Sequence, residues 1–505
     1  MRLEELLKGV PLTGGTWNGD TEITGISFDT RTLAPGELFA ALPGYKTDGS
    51  RFIREALDKG AAAVLCRKAP DLPGPWLTAE DPRAALALIS ANWFGRPADS
   101  LTCVAVTGTN GKTTTTYLLK AVLEGALGAK VGLIGTNQNM IGGRALPASR
   151  TTPESYDLQA LLRAMADAGC THVVMEASSI ALVQRRTYGI RFAAGVFTNL
   201  TEDHLDYHGT MEDYRAAKAL LFRQTDLAVL NLDDEAGAWY AQRVPCPVFT
   251  YSERKDQADL VAKNVRLFPS HVEFEAVAQN AIGRVFLPIP GGFSIYNALA
   301  AAACALNLGA RMEGIVTALR SAPGVKGRVE VVPVPEAYTV IIDYAHTPDA
   351  LENILTTVRD LTDRRVLCLF GCGGDRDRTK RPVMGGIAAA LADLVVVTSD
   401  NPRTEEPMDI LDDILRGMEG TETPVVVEPD RTAAIRRVLS LARAGDVVVL
   451  AGKGHETYQE VGEERLPLDE REVVAGYFAR RGSGQRREPV RSRRPAEGAA
   501  PLGPG

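Results

Sequence analysis

A glycine-rich turn with a lysine and a run of threonines stands between a strand-like run at residues 103–106 and a helix-like stretch at 116–124. It reads Thr107-Gly108-Thr109-Asn110-Gly111-Lys112-Thr113-Thr114. Glycines let backbone N–H groups wrap a phosphate, a lysine supplies a point charge, and a threonine hydroxyl at a helix start can ligate Mg²⁺. The general pattern is G-x-x-x-x-G-K-[ST]; here Gly108 precedes Gly111 by only three residues, a departure in spacing within the expected order of strand, loop and helix. Phosphoryl transfer also needs carboxylate or imidazole groups to hold the cation. Glu176 and His204 end or follow later strand candidates, and four of the six histidines (His204, His208, His346, His455) lie in such polar clusters.

The elements that must carry these clusters alternate between strand-like and helix-like runs from about residue 100 onward, the pattern of α/β units with parallel sheets. Strands are expected at 103–106, 131–134, 172–176, 195–198, 228–230, 340–343, 366–370, 394–398 and 447–450. Because ligands of open α/β sheets bind at the carboxyl ends of strands, the clusters map to one or two clefts. The expected fold class is α/β in three domains. Residues 1–97 form a small N-terminal α/β domain, 98–326 a central P-loop-type ATPase with a mainly parallel sheet, and 327–481 a C-terminal Rossmann-like domain. Residues 482–505, rich in Gly, Pro and Arg, read as a disordered, solvated tail.

The composition, 45% hydrophobic and 24% charged, is that of a soluble globular chain. No apolar run approaches the roughly 20 residues that span a bilayer, and the acidic start Met1-Arg2-Leu3-Glu4-Glu5 is unlike a secretory signal, so a cytoplasmic location without membrane insertion is expected. Seven scattered cysteines read as reduced thiols, and a net charge of -7 gives no reason to expect nucleic acid as a partner.

The P-loop segment, Phe197-Thr198-Asn199-Leu200 leading into Asp203-His204-Leu205-Asp206-Tyr207-His208-Gly209, Tyr214 with Ala217-Lys218, and Asp343-Tyr344-Ala345-His346-Thr347-Pro348 together resemble the Mur ligases. The resemblance covers about residues 1–480. It implies ATP-dependent amide formation through an acyl phosphate, adding meso-2,6-diaminopimelate to UDP-N-acetylmuramoyl-L-alanyl-D-glutamate in bacterial cell-wall peptidoglycan synthesis, by a monomer. By motif match, Gly108, Thr109, Asn110, Gly111, Lys112, Thr113 and Thr114 would bind ATP, with Asn297, Arg328, Asp343 and His346. Lys112, Lys218 and His204 would be catalytic. Thr113, Glu176, His204 and Lys218 would ligate Mg²⁺, Lys218 as a CO₂-derived carbamate; without the family it reads as a surface lysine on a helix at 211–222. Helix surface, turn charge and strand-end cap are the open alternatives for Asn297, Arg328, Asp343 and His346.

The resemblance further implies that Phe28, Thr30, Tyr45, Lys46 and Thr47 bind the UDP end of the sugar peptide, and Thr151, Thr152, Ser178, Gln184 and Arg186 its muramoyl-dipeptide end. Ile180 stands where the family usually has histidine. Diaminopimelate would meet Arg376, Asp400, Asn401, Pro402, Arg403, Gly452 and Glu456. The chemistry is direct: diaminopimelate differs from lysine by a second carboxylate, which a guanidinium at Arg403 can grip bidentately. Lysine leaves that cation unpaired.

Overall fold

The computed structural model describes residues 1–44 and 48–484. Tyr45, Lys46 and Thr47, and the tail from residue 485, lie outside the described residues. The chain divides into two compact units, Met1–Glu330 with Thr357–Asp363, and Val331–Thr356 with the residues from Arg364 onward.

The first unit holds two sheets. A five-stranded sheet has the parallel strands Ile26–Ser27, Leu38–Ala40, Ala63–Cys66 and Trp76–Thr78, with Gly14–Thr16 antiparallel at its edge. The second sheet has eleven strands. Its centre is parallel, with Thr102–Thr107 flanked by His172–Glu176 and Ala194–Phe197, and Val131–Ile134 and Ala228–Asn231 outside them. These strands are near-continuous apolar runs because both faces are covered. One face packs on helices Lys112–Leu127 and Gly292–Asn307, the other on Ser155–Asp167. Helix Gly292–Asn307 is apolar nearly all round, its Ala298–Ala303 stretch at most 2% exposed, as a helix buried in a core must be. Sequence reasoning missed the antiparallel extension Leu260–Leu267, Val272–Ala278 and Ala281–Leu287, and the small Asn139–Ile141 and Arg144–Leu146 pair at the opposite edge.

In the second unit, Thr339–Asp343, Val447–Ala451, Val366–Phe370, Leu394–Val397 and Val425–Val427 pair in that order, all parallel. A hairpin of Tyr458–Val461 and Glu464–Pro467 follows the last central strand. One expected helix limit and one expected domain limit change. The helix expected at 211–222 is α-helical over Met211–Ala219 and tightens to a 3₁₀ turn over Leu220–Gln224. The final helix, Glu470–Gly484, runs past the expected tail boundary at 481, since the first proline after it is Pro489. All seven cysteines are free, and burial raises the thiols of Cys103, Cys304, Cys368 and Cys372 to about 12, as inert core cysteines require.

A fully buried ion pair knits the second unit together. Arg431 forks onto Glu470 at 2.9 Å and donates to the carbonyls of Ser399 at 3.1 Å and Ala451 at 2.7 Å, fixing the ends of two strands. Burial raises the Glu470 carboxyl above its usual range, opposed by the Arg431 charge. Removing one partner of such a pair strands a buried charge. Arg431→Met is expected to destabilise the second unit by about 3–5 kcal/mol, read as a lower urea midpoint, with Arg431→Met/Glu470→Leu recovering part of the loss.

Candidate active site

Strand Thr102–Thr107 ends at Gly108, whose φ of +151° and lack of a side chain are both required: a Cβ there would lie 1.9 Å from Thr198 Oγ1. Gly111, at φ +82°, has the same constraint, since its Cβ would meet Asn297 Oδ1 at 2.4 Å. Thr198 Oγ1 donates to the Asn110 carbonyl at 2.6 Å, and Asn199 Oδ1 accepts from the Asn110 amide at 2.8 Å. The loop is thus held from the neighbouring strand, leaving the first amides of helix Lys112–Leu127 without intrahelical partners, the geometry that receives a phosphate.

Two lysines converge on this loop. Lys112 Nζ donates to the carbonyls of Gly108 at 3.0 Å and Thr109 at 2.8 Å. Lys218, 1% exposed, donates to the same Gly108 carbonyl at 2.8 Å and sits 4.3 Å over the Tyr214 ring. Lys218 is therefore no surface lysine, and among the described residues it has neither a carboxylate within ion-pair distance nor a second acceptor. Burial pushes its amine well below the usual lysine range, Lys112 adds to the lowering and Asp203 opposes it. Burial likewise lowers Lys112, with Glu176 acting against it and Arg328 with it.

Glu176, fully buried at the end of its strand, accepts from Thr113 Oγ1 at 3.0 Å, the Thr136 amide at 2.8 Å and Thr136 Oγ1 at 2.9 Å. Among the described residues no three His, Cys, Asp or Glu side chains form a metal cage. The Thr113 hydroxyl and Glu176 carboxylate, adjacent to the phosphate loop, nevertheless fit Mg²⁺, which takes few protein ligands and completes its shell with water and phosphate oxygens. His204, half-exposed at φ +55°, lies 3.5 Å from Asp203 and has no hydrogen bond to Glu176 or Thr113. Asn297 accepts from Thr115 Oγ1 at 3.2 Å and helps line a cavity of about 300 Å³ with Asn199, Asn231, Asp233, Phe293 and Tyr296. Sequence reasoning missed Thr136 and the Asn231–Asp234 turn as site residues. Both follow strands, so the strand-end rule that found Glu176 would have found them.

The expected dipeptide-binding residues form one network. Thr136 Oγ1, its proton given to Glu176, lies 3.1 Å from the Thr151 hydroxyl, and Thr152 Oγ1 donates to the Glu176 carbonyl at 2.8 Å and accepts from the Ser178 amide at 3.1 Å. Arg186 forks onto Gln184 Oε1, donates to the Thr152 carbonyl at 2.8 Å and pairs with Glu154 at 3.1 Å. Phe28 packs on the core of the N-terminal sheet, and the Thr30 carbonyl accepts from Lys59 Nζ at 2.7 Å. Beside it the Arg31 guanidinium, hydrogen-bonded to Asp29, holds that carboxyl down at about 2.

In the second unit, Asp343 ends a strand, and His346 Nδ1 stands 2.7 Å from the Tyr344 carbonyl. Asp400, Asn401 and Pro402 are buried, whereas Arg376 is exposed and donates to its neighbour Asp375's carbonyl at 3.2 Å. Arg403, at φ +51°, donates from Nε to Glu460 at 2.9 Å and from Nη1 to the Gly374 carbonyl at 2.8 Å, so, against the sequence expectation, its cation already has a carboxylate partner within the chain, while Nη2 has no hydrogen bond among the described residues. Gly452 abuts Asp400, where a Cβ would meet Oδ2 at 2.6 Å. Burial works to raise Glu456, but the charge and hydrogen bond of Lys453, with a bond from Asn401, hold its carboxyl below the usual range.

Comparison with known proteins adds three family matches: "Mur ligase family, catalytic domain" over residues 22–92, "Mur ligase middle domain" over 106–305 and "Mur ligase, glutamate ligase domain" over 327–454. The chain is 45% identical over 484 residues to a UDP-N-acetylmuramoyl-L-alanyl-D-glutamate-2,6-diaminopimelate ligase of Caldanaerobacter subterraneus, covering 95% of this chain and 99% of the relative. It is 42% identical over 481 residues to the enzyme of that name from Clostridium tetani, covering 94% and 98%. A solved structure of a ligase of that name aligns with a TM-score of 0.71 at 33% identity, covering 95% of this chain and 99% of that one.

Gly108→Ala is expected to weaken ATP binding by about 100-fold, because the loop must leave a conformation that a side chain tolerates poorly. Calorimetric titration of the folded variant with ATP checks this.

Proposed function

The chain belongs to the Mur ligase family, and we infer that it is an ATP-dependent ligase joining meso-2,6-diaminopimelate to UDP-N-acetylmuramoyl-L-alanyl-D-glutamate in peptidoglycan synthesis. The observation that carries the reading is the convergence of Lys112 and Lys218 on Gly108, beside the Thr113–Glu176 pair. A carboxylate is a poor acyl donor until one of its oxygens becomes part of a phosphate leaving group. An oxygen of the D-glutamate γ-carboxylate attacks the ATP γ-phosphorus, the bond to ADP breaks, and an acyl phosphate results. The diaminopimelate amine then adds to the acyl carbon, inorganic phosphate leaves, and the amine loses a proton.

Bringing a carboxylate to a triphosphate sets like charges together, and Lys112 with the helix-start amides offsets that repulsion. Bound Mg²⁺ would neutralise phosphate oxygens, held by Thr113, Glu176, His204 and a modified Lys218. The buried Lys218 amine, with no anionic partner among the described residues, suits carbamylation: burial favours the neutral amine, whose nitrogen bonds CO₂ and gives up one proton to solvent, leaving an anionic carbamate able to ligate a metal. Asn297, Arg328, Asp343 and His346 contribute to ATP binding in this reading. Thr151, Thr152, Ser178, Gln184 and Arg186 receive the muramoyl dipeptide, and Phe28 and Thr30 the UDP end. Arg403 takes the distal carboxylate of diaminopimelate. The enzyme acts as a cytoplasmic monomer; among the described residues no helix is long and apolar enough to cross a membrane.

With ATP, Mg²⁺ and UDP-N-acetylmuramoyl-L-alanyl-D-glutamate, phosphate release is expected with meso-diaminopimelate and not with L-lysine, the product being identified by mass. Turnover with lysine alone would keep the ligase and overturn the assignment of Arg403. Arg403→Ala is expected to lower kcat/KM for diaminopimelate about 100-fold. Lys218→Ala should lower kcat by about 10³-fold. In the unsubstituted enzyme, depletion of CO₂ should lower activity and bicarbonate should restore it; indifference to bicarbonate would remove the carbamate.

A further inference from the structure

Lys453 lies in the second unit, two residues past the end of strand Val447–Ala451, and is fully buried. Its ammonium donates to Asn401 Oδ1 at 2.6 Å and Glu456 Oε2 at 2.7 Å, with Asp400 Oδ1 at 3.9 Å. Asn401 Nδ2 donates to the same Glu456 Oε2 at 3.1 Å, closing a triangle. Asn401 Oδ1 also accepts the Glu460 amide at 2.9 Å, so the triangle reaches the hairpin whose Glu460 side chain holds Arg403.

The consequence is an asymmetry at Glu456. Its Oε2 accepts from both Lys453 and Asn401, while among the described residues Oε1 has only a long contact, 3.5 Å, from the Tyr344 hydroxyl. One buried cation stands against two carboxylates, Asp400 and Glu456, so the cluster keeps a surplus negative charge. A carboxylate fixed by one oxygen, with the other lightly held, is poised to accept from an ammonium, and a desolvated hydrogen-bonded charge fixes geometry better than a surface pair does.

We propose that Lys453 is a positioning residue for amino-acid recognition: it locks Asn401 and the Oε2 edge of Glu456 so that Oε1 receives an ammonium of the incoming amino acid while Arg403 receives its far carboxylate. The proposal rests on the reading of this unit as the site of the amino-acid substrate. Lys453 touches no substrate and acts through Glu456 and Asn401. Its loss therefore falls on the amino acid and spares the other two substrates.

The test uses the full-length enzyme and steady-state phosphate release, measuring KM separately for meso-diaminopimelate, ATP and the UDP-sugar dipeptide. Lys453→Met is expected to raise the diaminopimelate KM about 10- to 100-fold, the loss of a hydrogen-bonded charge, while the other two KM values stay within about threefold. Glu456→Gln should do the same, and the double variant should be no worse than the poorer single one, because both act on one contact. Equal rises in all three KM values, an unchanged diaminopimelate KM, or multiplying effects in the double variant would overturn the proposal. If Lys453→Met does not fold, Lys453→Gln, which keeps a donor, is judged by the same criteria; failure of both to fold would mark Lys453 as structural and overturn it as well. Should the unsubstituted enzyme use lysine instead, the substrate reading fails, and the same KM comparison made with lysine still decides the role of Lys453.

Discussion

The carbonyl of Gly108 accepts from two ammonium groups at once, the partly buried Lys112 at 3.0 Å and the fully buried Lys218 at 2.8 Å. Two like charges gathered on one neutral acceptor are not self-sufficient, and burial lowers both amines. In the proposed reading Lys112 meets the negative charge of a nucleotide triphosphate, and Lys218 ceases to be a cation by becoming a carbamate. Much of the first unit serves to maintain this arrangement. The parallel strands bring Thr107, Glu176 and Phe197 to one edge, and Thr198 and Asn199 clasp the loop from the next strand. The alanine-rich helix Gly292–Asn307 packs against the same core and delivers Asn297 to Gly111.

The second unit solves the opposite electrostatic problem. There the surplus at the strand ends is negative, and the guanidinium of Arg403 is already compensated by Glu460. An ammonium suits such a surplus, whereas a distal carboxylate would have to share Arg403 with Glu460, so any rejection of lysine there does not come from an unpaired guanidinium. Rigidity below the surface keeps these groups in place. Arg431 ties the Ser399 and Ala451 carbonyls from beneath, so the Asp400 and Gly452 turns start from fixed points.

Strand ends were legible in the sequence because parallel strands buried on both faces leave unbroken apolar runs, and chemistry-bearing residues interrupt them at the carboxyl edge. Residues 131–134, 172–176 and 366–370 were read with their observed limits for that reason. The antiparallel strands from Leu260 to Leu267 and Val272 to Ala278 were not legible: their exposed faces mix Lys263, Arg266, Glu273 and Glu275 with apolar residues, so neither a continuous run nor a turn signal stood out. Helix ends were read short, as at Lys112, because the P-loop threonines are weak helix formers that only the buried packing of Thr113–Thr116 secures. Within the site, single residues were legible where a motif named them. Partnerships were not: nothing in the spacing of Lys453 and Asn401, or of Thr136 and Glu176, says that they touch.

Thr136 illustrates why such partnerships matter to the chemistry. Its amide and hydroxyl occupy both oxygens of Glu176, and Thr113 takes a third bond to the same carboxylate. A carboxylate so fully satisfied keeps its place without a cation, and need only exchange a hydroxyl donor for a metal when one arrives. The hydroxyl of Thr136 also reaches Thr151, so the carboxylate beside the phosphate loop and the residues expected to receive the dipeptide share one hydrogen-bonded support. Attack of a carboxylate on a phosphorus depends on holding both partners within a fraction of an ångström of their reacting distance. A common support for the two sides is the most direct way for this fold to provide that, since any shift of Thr136 moves both together.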